Sequence, residues 1–129
     1  MTGSTHKQNR LRAAMQRLTS SQDEVLAEEE KKESAKFGGT PCGVLTGRRR
    51  VTLVGVLRSV TLQPRAGVPA LEAELFDGTG TVTVIWLGRR EIAGIQAGRR
   101  IRVEGLVAVG EGRAVMYNPK YELLIGQPT

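Results

Sequence analysis

Few side chains in this sequence could make or break a covalent bond. The only histidine is His6 and the only cysteine is Cys42. The aspartates are Asp23, in a run of charge, and Asp77, in the stretch Asp77-Gly78-Thr79-Gly80. Nucleophilic catalysis needs a hydroxyl or thiol with a base in reach and a third group to orient that base. One histidine near the N-terminus does not assemble such a set. A zinc site needs several Cys, His or carboxylate ligands, and a phosphate-binding loop needs a longer glycine run ahead of a helix; neither pattern occurs. Asp77 beside Gly78 reads as an Asx-type turn, and Cys42 as a small packed residue without the base that activates a thiol. The sequence therefore predicts no enzyme, no catalytic residue, no metal and no cofactor, and no small-molecule substrate.

What remains is positive charge. Lys and Arg number 19 against 13 Asp and Glu, a formal charge of +6. An arginine can contact a phosphate and release its counterions, and its guanidinium can also stack on a base. The candidates for binding a polyanion are Arg48, Arg49, Arg50, Arg58, Arg65, Arg89, Arg90, Arg100, Arg102, Arg113 and Lys120, with Phe76 and Tyr117 as aromatic platforms. Aromatic residues are only 4% of the chain, so base stacking has few platforms to draw on.

The elements that must hold these residues follow from pattern. Residues 1–43 read as an N-terminal arm, basic through Lys7, Arg10, Arg12 and Arg17, then densely charged from Asp23. Leu11, Met15 and Leu18 fall on one helical stripe. Ser21 and Glu24 have the spacing of a capping box. Val25–Lys36 reads as a polar helix, with Glu28 and Lys32 paired at i, i+4 and Gly38-Gly39 as its stop.

Residues 44–129 have the texture of strands. Val51–Leu62 is a long β-branched run in which Gly55 marks a bulge or bend. Ala70–Leu75 alternates, sending Leu71, Ala73 and Leu75 to one face and Glu72 and Glu74 to the other. After the Asp77 turn, Thr81–Leu87 alternates again and puts Val82, Val84 and Trp86 inside. Ile92 and Ile95, three apart, suggest one helical turn before Gly98. Arg100–Val109 is a fourth strand with Ile101, Val103 and Val107 inward. Arg113–Leu124 is a fifth, interrupted by Pro119. Three strands, a short helix and two strands are the elements of the five-stranded Greek-key barrel called the OB-fold, an all-β core with its helix between strands three and four. Closure into a barrel also hides strand edges.

The segment Leu-x-Asp-Gly-Thr-Gly-x-Val-x-Val-x-Trp over Leu75–Trp86 resembles strands two and three of the OB-folds found in anticodon-binding and helicase wedge domains. The whole chain, through RLTSSQDE, PRAGVPALEAELFDGTG, WLGRREIAGIQAGR and YNPKYEL, resembles small actinobacterial proteins of the OB-fold nucleic-acid-binding type. That resemblance implies a non-catalytic module that binds single-stranded DNA or RNA, weakly selective and salt-sensitive. In such folds the ligand lies across strands two and three, gripped by the loops after strands one and four. Here those are Gln63–Pro69 with Arg65 and Gly110–Gly112 beside Arg113. Glu72 and Glu74 stand on that same face and repel phosphate, which favours the alternative of a protein partner or self-association. No apolar run approaches the ~18 residues of a membrane span and no secretory signal core appears, so a cytoplasmic protein with no membrane partner is expected.

Overall fold

The computed structural model describes residues 21–125. The stripe at Leu11, Met15 and Leu18 and most of the basic arm lie outside those residues. A helix, α1, covers residues 21–35. Ser21 is helical; the start of the helix, and with it the Ser21–Glu24 capping box, lies outside the described residues. The strands follow: β1 Arg48–Leu62, β2 Ala70–Phe76, β3 Thr81–Leu87, β4 Arg100–Gly110, β5 Arg113–Tyr117 and β6 Lys120–Leu123.

Hydrogen bonding runs in the order β1-β2-β3-β5-β4, and β4 returns to pair with β1 over Arg48–Val56, closing a five-stranded barrel. Four junctions are antiparallel; β3 and β5 are parallel, with Thr83 beside Val115. That single parallel junction gives the barrel its Greek-key, OB-type path. The expected fifth strand is split. Asn118 takes φ 48° and Pro119 cannot donate to a ladder, so the chain bends between β5 and β6. Both halves still pair with β4, which makes β6 an extra strand.

Alternation fills the barrel as its pattern implies. Leu53, Leu57, Leu75, Val82, Val84, Ile101, Val103, Val107 and Met116 are at most 1% exposed, and each such side chain contributes about 1.5–3 kcal/mol by leaving water. Trp86 is buried as well, its indole N–H donating to the Pro119 carbonyl at 3.4 Å. The bulge falls later in β1 than expected. Pairing with β2 slips between Leu57 and Ser59, which leaves Arg58 as the extra residue. Gly55 answers a different need: a Cβ there would lie 2.5 Å from the carbonyl oxygen of Phe76, so β1 and β2 approach too closely for any side chain.

The helix stands before the barrel and not between strands three and four. Residues 88–99 run as turns and bends. Ile92 and Ile95 do plug the core, but the Ile95 N–H reaches only Ile92, one i to i+3 bond at 3.0 Å. Gly94 between them has φ 83°, a left-handed conformation that a right-handed helix cannot continue through.

Helix α1 lies against the outside of β1 and β4. Glu30 and Arg100 form a forked ion pair, with Nη2 donating to Oε1 at 2.8 Å, and Ser34 bonds to both partners. Arg102 donates to the Phe37 carbonyl at 3.1 Å. Val54 points out of the barrel yet is 2% exposed, because this segment covers it. The Cα of Gly78 sits directly beneath the Ala27 and Lys31 backbone of α1.

Candidate functional site

The outer face of β2 and β3 carries a groove of about 430 Å³. Its floor comes from alternate residues of three strands. Thr61 and Glu72 make one cross-strand pair, and Ser59, Glu74 and Thr83 the next row. Gln63 closes one end; Gly112 in the β4–β5 turn and Arg113 at the start of β5 close the other. The sequence marked the two loops and the two glutamates. It passed over the hydroxyls of Ser59, Thr61, Thr81 and Thr83, although their position on the Glu72 and Glu74 parity was available.

Two of the predicted cations meet in this groove. Arg65, held in a tight loop by reciprocal backbone bonds with Val68 at 2.9 Å, reaches Glu72 Oε1 at 3.7 Å. Arg113 comes from the opposite loop to the same oxygen at 3.9 Å, with Thr83 Oγ1 at 3.5 Å from its Nη2. Both arginines are well exposed, so these are loose ion pairs in high dielectric, worth at most about 1 kcal/mol each. They are cheap to exchange for another anion. Glu74 has no cation within ion-pair distance among the described residues.

At the far end of the face, Arg58 projects from the bulge and stacks its guanidinium over Phe76, 4.2 Å from the ring centroid. Phe76 therefore presents at most one open face. Tyr117 is exposed beside Ile85 on the same side of the barrel and is the freer platform. Tyr121 instead packs edge-on against Trp86, centroids 5.9 Å apart.

The remaining predicted residues separate into two groups. Arg100 and Arg102 face outward as expected, but Glu30, Phe37 and Glu122 engage them, so they fasten α1 and β6. Arg48, Arg49, Arg50, Arg89, Arg90 and Lys120 are exposed and make no ion pair among the described residues. Arg48 continues the floor of the groove around the barrel: Glu74, Thr83, Val115, Ala108 and Arg48 form one outward register row, about 19 Å long at the usual strand spacing. Arg89 and Arg90 leave β3 at the end where the Gly88 N–H donates to the Pro69 carbonyl, beside the loop that carries Arg65.

Cys42 lies apart from the groove. Burial and the Asp77 carboxylate push its thiol well above the ordinary range, and it is 7% exposed. A thiolate is the reactive form, so Cys42 should react with a disulfide reagent on the order of 100-fold more slowly in the folded chain than in urea. Equal rates in the two states would show that the segment before β1 is not packed as described.

Among the described residues no group of three or more His, Cys, Asp or Glu is placed to hold a metal ion, and no helix is long and apolar enough to cross a membrane. No protein-family model matches the chain, and no curated protein matches it. Among solved structures it is similar to a chain of a replication protein A heterotrimer bound to ssDNA, at 21% identity and a TM-score of 0.47, over 60% of this chain and 58% of that one.

Proposed function

We propose that this chain is a non-catalytic binding module that takes single-stranded DNA or RNA across the outer face of β2 and β3. What supports the reading is the groove itself. It lies where an OB-type barrel receives its ligand, and arginines from the two flanking loops converge over it, tethered only by loose pairs to Glu72. A phosphate entering from either end can take over one guanidinium without breaking anything the fold depends on. Hydroxyls of Ser59, Thr61, Thr81 and Thr83 offer further donors, and Tyr117 offers a base platform.

Fluorescence anisotropy with a labelled oligothymidylate of about 15 nucleotides tests this. If Arg65, Arg113 and Arg58 each meet one phosphate, the salt slope for a single strand is about −2, and raising salt from about 50 to 200 mM weakens binding about 20-fold. Arg65→Ala or Arg113→Ala should each weaken binding several-fold and flatten that slope by about 0.7. Absence of binding at low salt, or binding indifferent to salt, overturns the reading.

A second reading rests on one observation, the half-buried carboxylate of Glu74 without a cation on the groove floor. A protein partner presenting lysine or arginine would supply one. Association that survives nuclease and is lost in Glu74→Gln, with no oligonucleotide binding, supports this reading over the first.

A further inference from the structure

We infer that Glu74 makes this groove selective for guanine in a single strand; the inference rests on the nucleic-acid reading above and names the base that the groove prefers. The two carboxylates on the floor are not equivalent. Glu72 is already answered, with Arg65 and Arg113 both directed at its Oε1. Glu74 has neither a cation nor a hydrogen-bond donor among the described residues. It stands in the middle of the floor, between its cross-strand neighbours Ser59 and Thr83, and it is half-buried by the walls. A carboxylate in that position is open to donors that a ligand can supply.

The chemistry of the bases decides which ligand does so. An ionised carboxylate accepts only, through two parallel oxygens. Unpaired bases in a single strand are read on their Watson–Crick edges. Guanine presents two adjacent donors there, N1–H and the N2 amine, and matches both oxygens at once. Cytosine and adenine each present one amine beside a ring-nitrogen acceptor, which faces the second oxygen with like charge. Thymine and uracil present one N–H between two carbonyl oxygens. An unpartnered carboxylate therefore admits guanine and penalises the others. Arg65 and Arg113 meet at Glu72, on the neighbouring row of the floor, and can take a phosphate next to the base that is read.

The test compares three labelled strands of about 15 nucleotides: oligothymidylate, the same strand with one central guanine, and the same strand with hypoxanthine there. Hypoxanthine keeps N1–H and lacks the N2 amine. One bidentate base contact gives about fivefold discrimination at the lower end of its usual range, so the guanine strand should bind at least about fivefold more tightly than oligothymidylate. The hypoxanthine strand should lose most of that gain. In Glu74→Gln, guanine and thymine strands should bind alike while oligothymidylate binds at least as well as before, because a repelling charge is gone. Glu72→Gln should keep the discrimination. Equal binding of the three strands by the unaltered chain overturns the inference and leaves the nucleic-acid reading in place, as does discrimination that persists in Glu74→Gln. Failure of every strand to bind at low salt overturns both.

Discussion

Replacing Asp77 with alanine should lower folding stability by about 3–4 kcal/mol, read as a shift in the urea midpoint at unchanged slope. The carboxylate is 5% exposed and answers four donors. Oδ1 accepts from the Thr79 N–H at 2.9 Å, the Thr79 hydroxyl at 2.7 Å and the Gly80 N–H at 3.1 Å. Oδ2 accepts from the Cys42 N–H at 2.8 Å. The first three bonds shape the β2–β3 turn. The fourth ties that turn to the segment entering β1, joined by the Gly43 N–H on Thr79 Oγ1 at 2.9 Å. Alanine leaves backbone donors without partners, and each buried one costs about 1–3 kcal/mol. Against the 5–15 kcal/mol of a typical domain, such a loss is large. Asparagine separates the two roles. Its amide oxygen can keep the turn, but its NH2 then faces the Cys42 N–H, donor against donor. Asp77→Asn should therefore fall about midway between the native chain and Asp77→Ala. An unchanged midpoint in Asp77→Ala would mean that these bonds are exchanged for water at no cost.

The turn shows what could be read from sequence and what could not. Asp-Gly between two alternating runs named the hairpin, because the demand for an Asx turn is local. Alternation likewise named Leu75, Val82, Val84, Trp86, Ile101 and Val103 as inward, since parity is fixed once a strand exists. The bond from Cys42 to Asp77 spans 35 positions in the chain, and the Arg100–Glu30 pair spans 70. No periodicity carries such information. Arg100 therefore resembled Arg65 as a free outward cation, and only the docked helix separates them. The same limit explains the misplaced helix. Ile92 and Ile95 had helical spacing and are buried, but burial came through turns shaped by Gly94, for which a three-residue spacing is an equally good signature.

The groove was half legible on the same grounds. Its loops and its glutamates came from strand order and parity. That Arg65 and Arg113 converge on Glu72 and leave Glu74 unanswered depends on a slip of register at Arg58 and on the reach of two loops. A face that looked uniformly acidic is thus divided into a neutralised carboxylate and an open one, and the two should respond differently to substitution. Charge counting over the whole chain, at +6, does not describe this surface: Arg65 and Arg113 both go to Glu72 and leave Glu74 open, so affinity there depends on placement more than on net charge.

Gly78→Ala should detach α1 while leaving the barrel folded. Gly78 has φ 86°, and a Cβ there would lie 2.2 Å from the Ala27 carbonyl oxygen and 2.5 Å from the Lys31 backbone nitrogen. Alanine costs about 1–2 kcal/mol for the left-handed backbone alone. The obstacle is helix backbone and not a side chain that can swing aside, so α1 must move away. Its anchors then fail together: Glu30 and Ser34 leave Arg100, and the cover over Val54 opens. The total should reach about 2–4 kcal/mol, concentrated in one part of the molecule. Amide exchange separates the parts: residues 21–35 should lose protection while Leu53, Val84 and Val103 in the barrel keep theirs. A double-mutant cycle gives the same answer in energy. Glu30→Gln weakens a half-buried forked ion pair in the native chain and should cost about 1–2 kcal/mol there, but almost nothing in Gly78→Ala, where that pair is already apart. Additive costs, or retained protection in α1, would show that the helix accommodates the methyl group without leaving its seat.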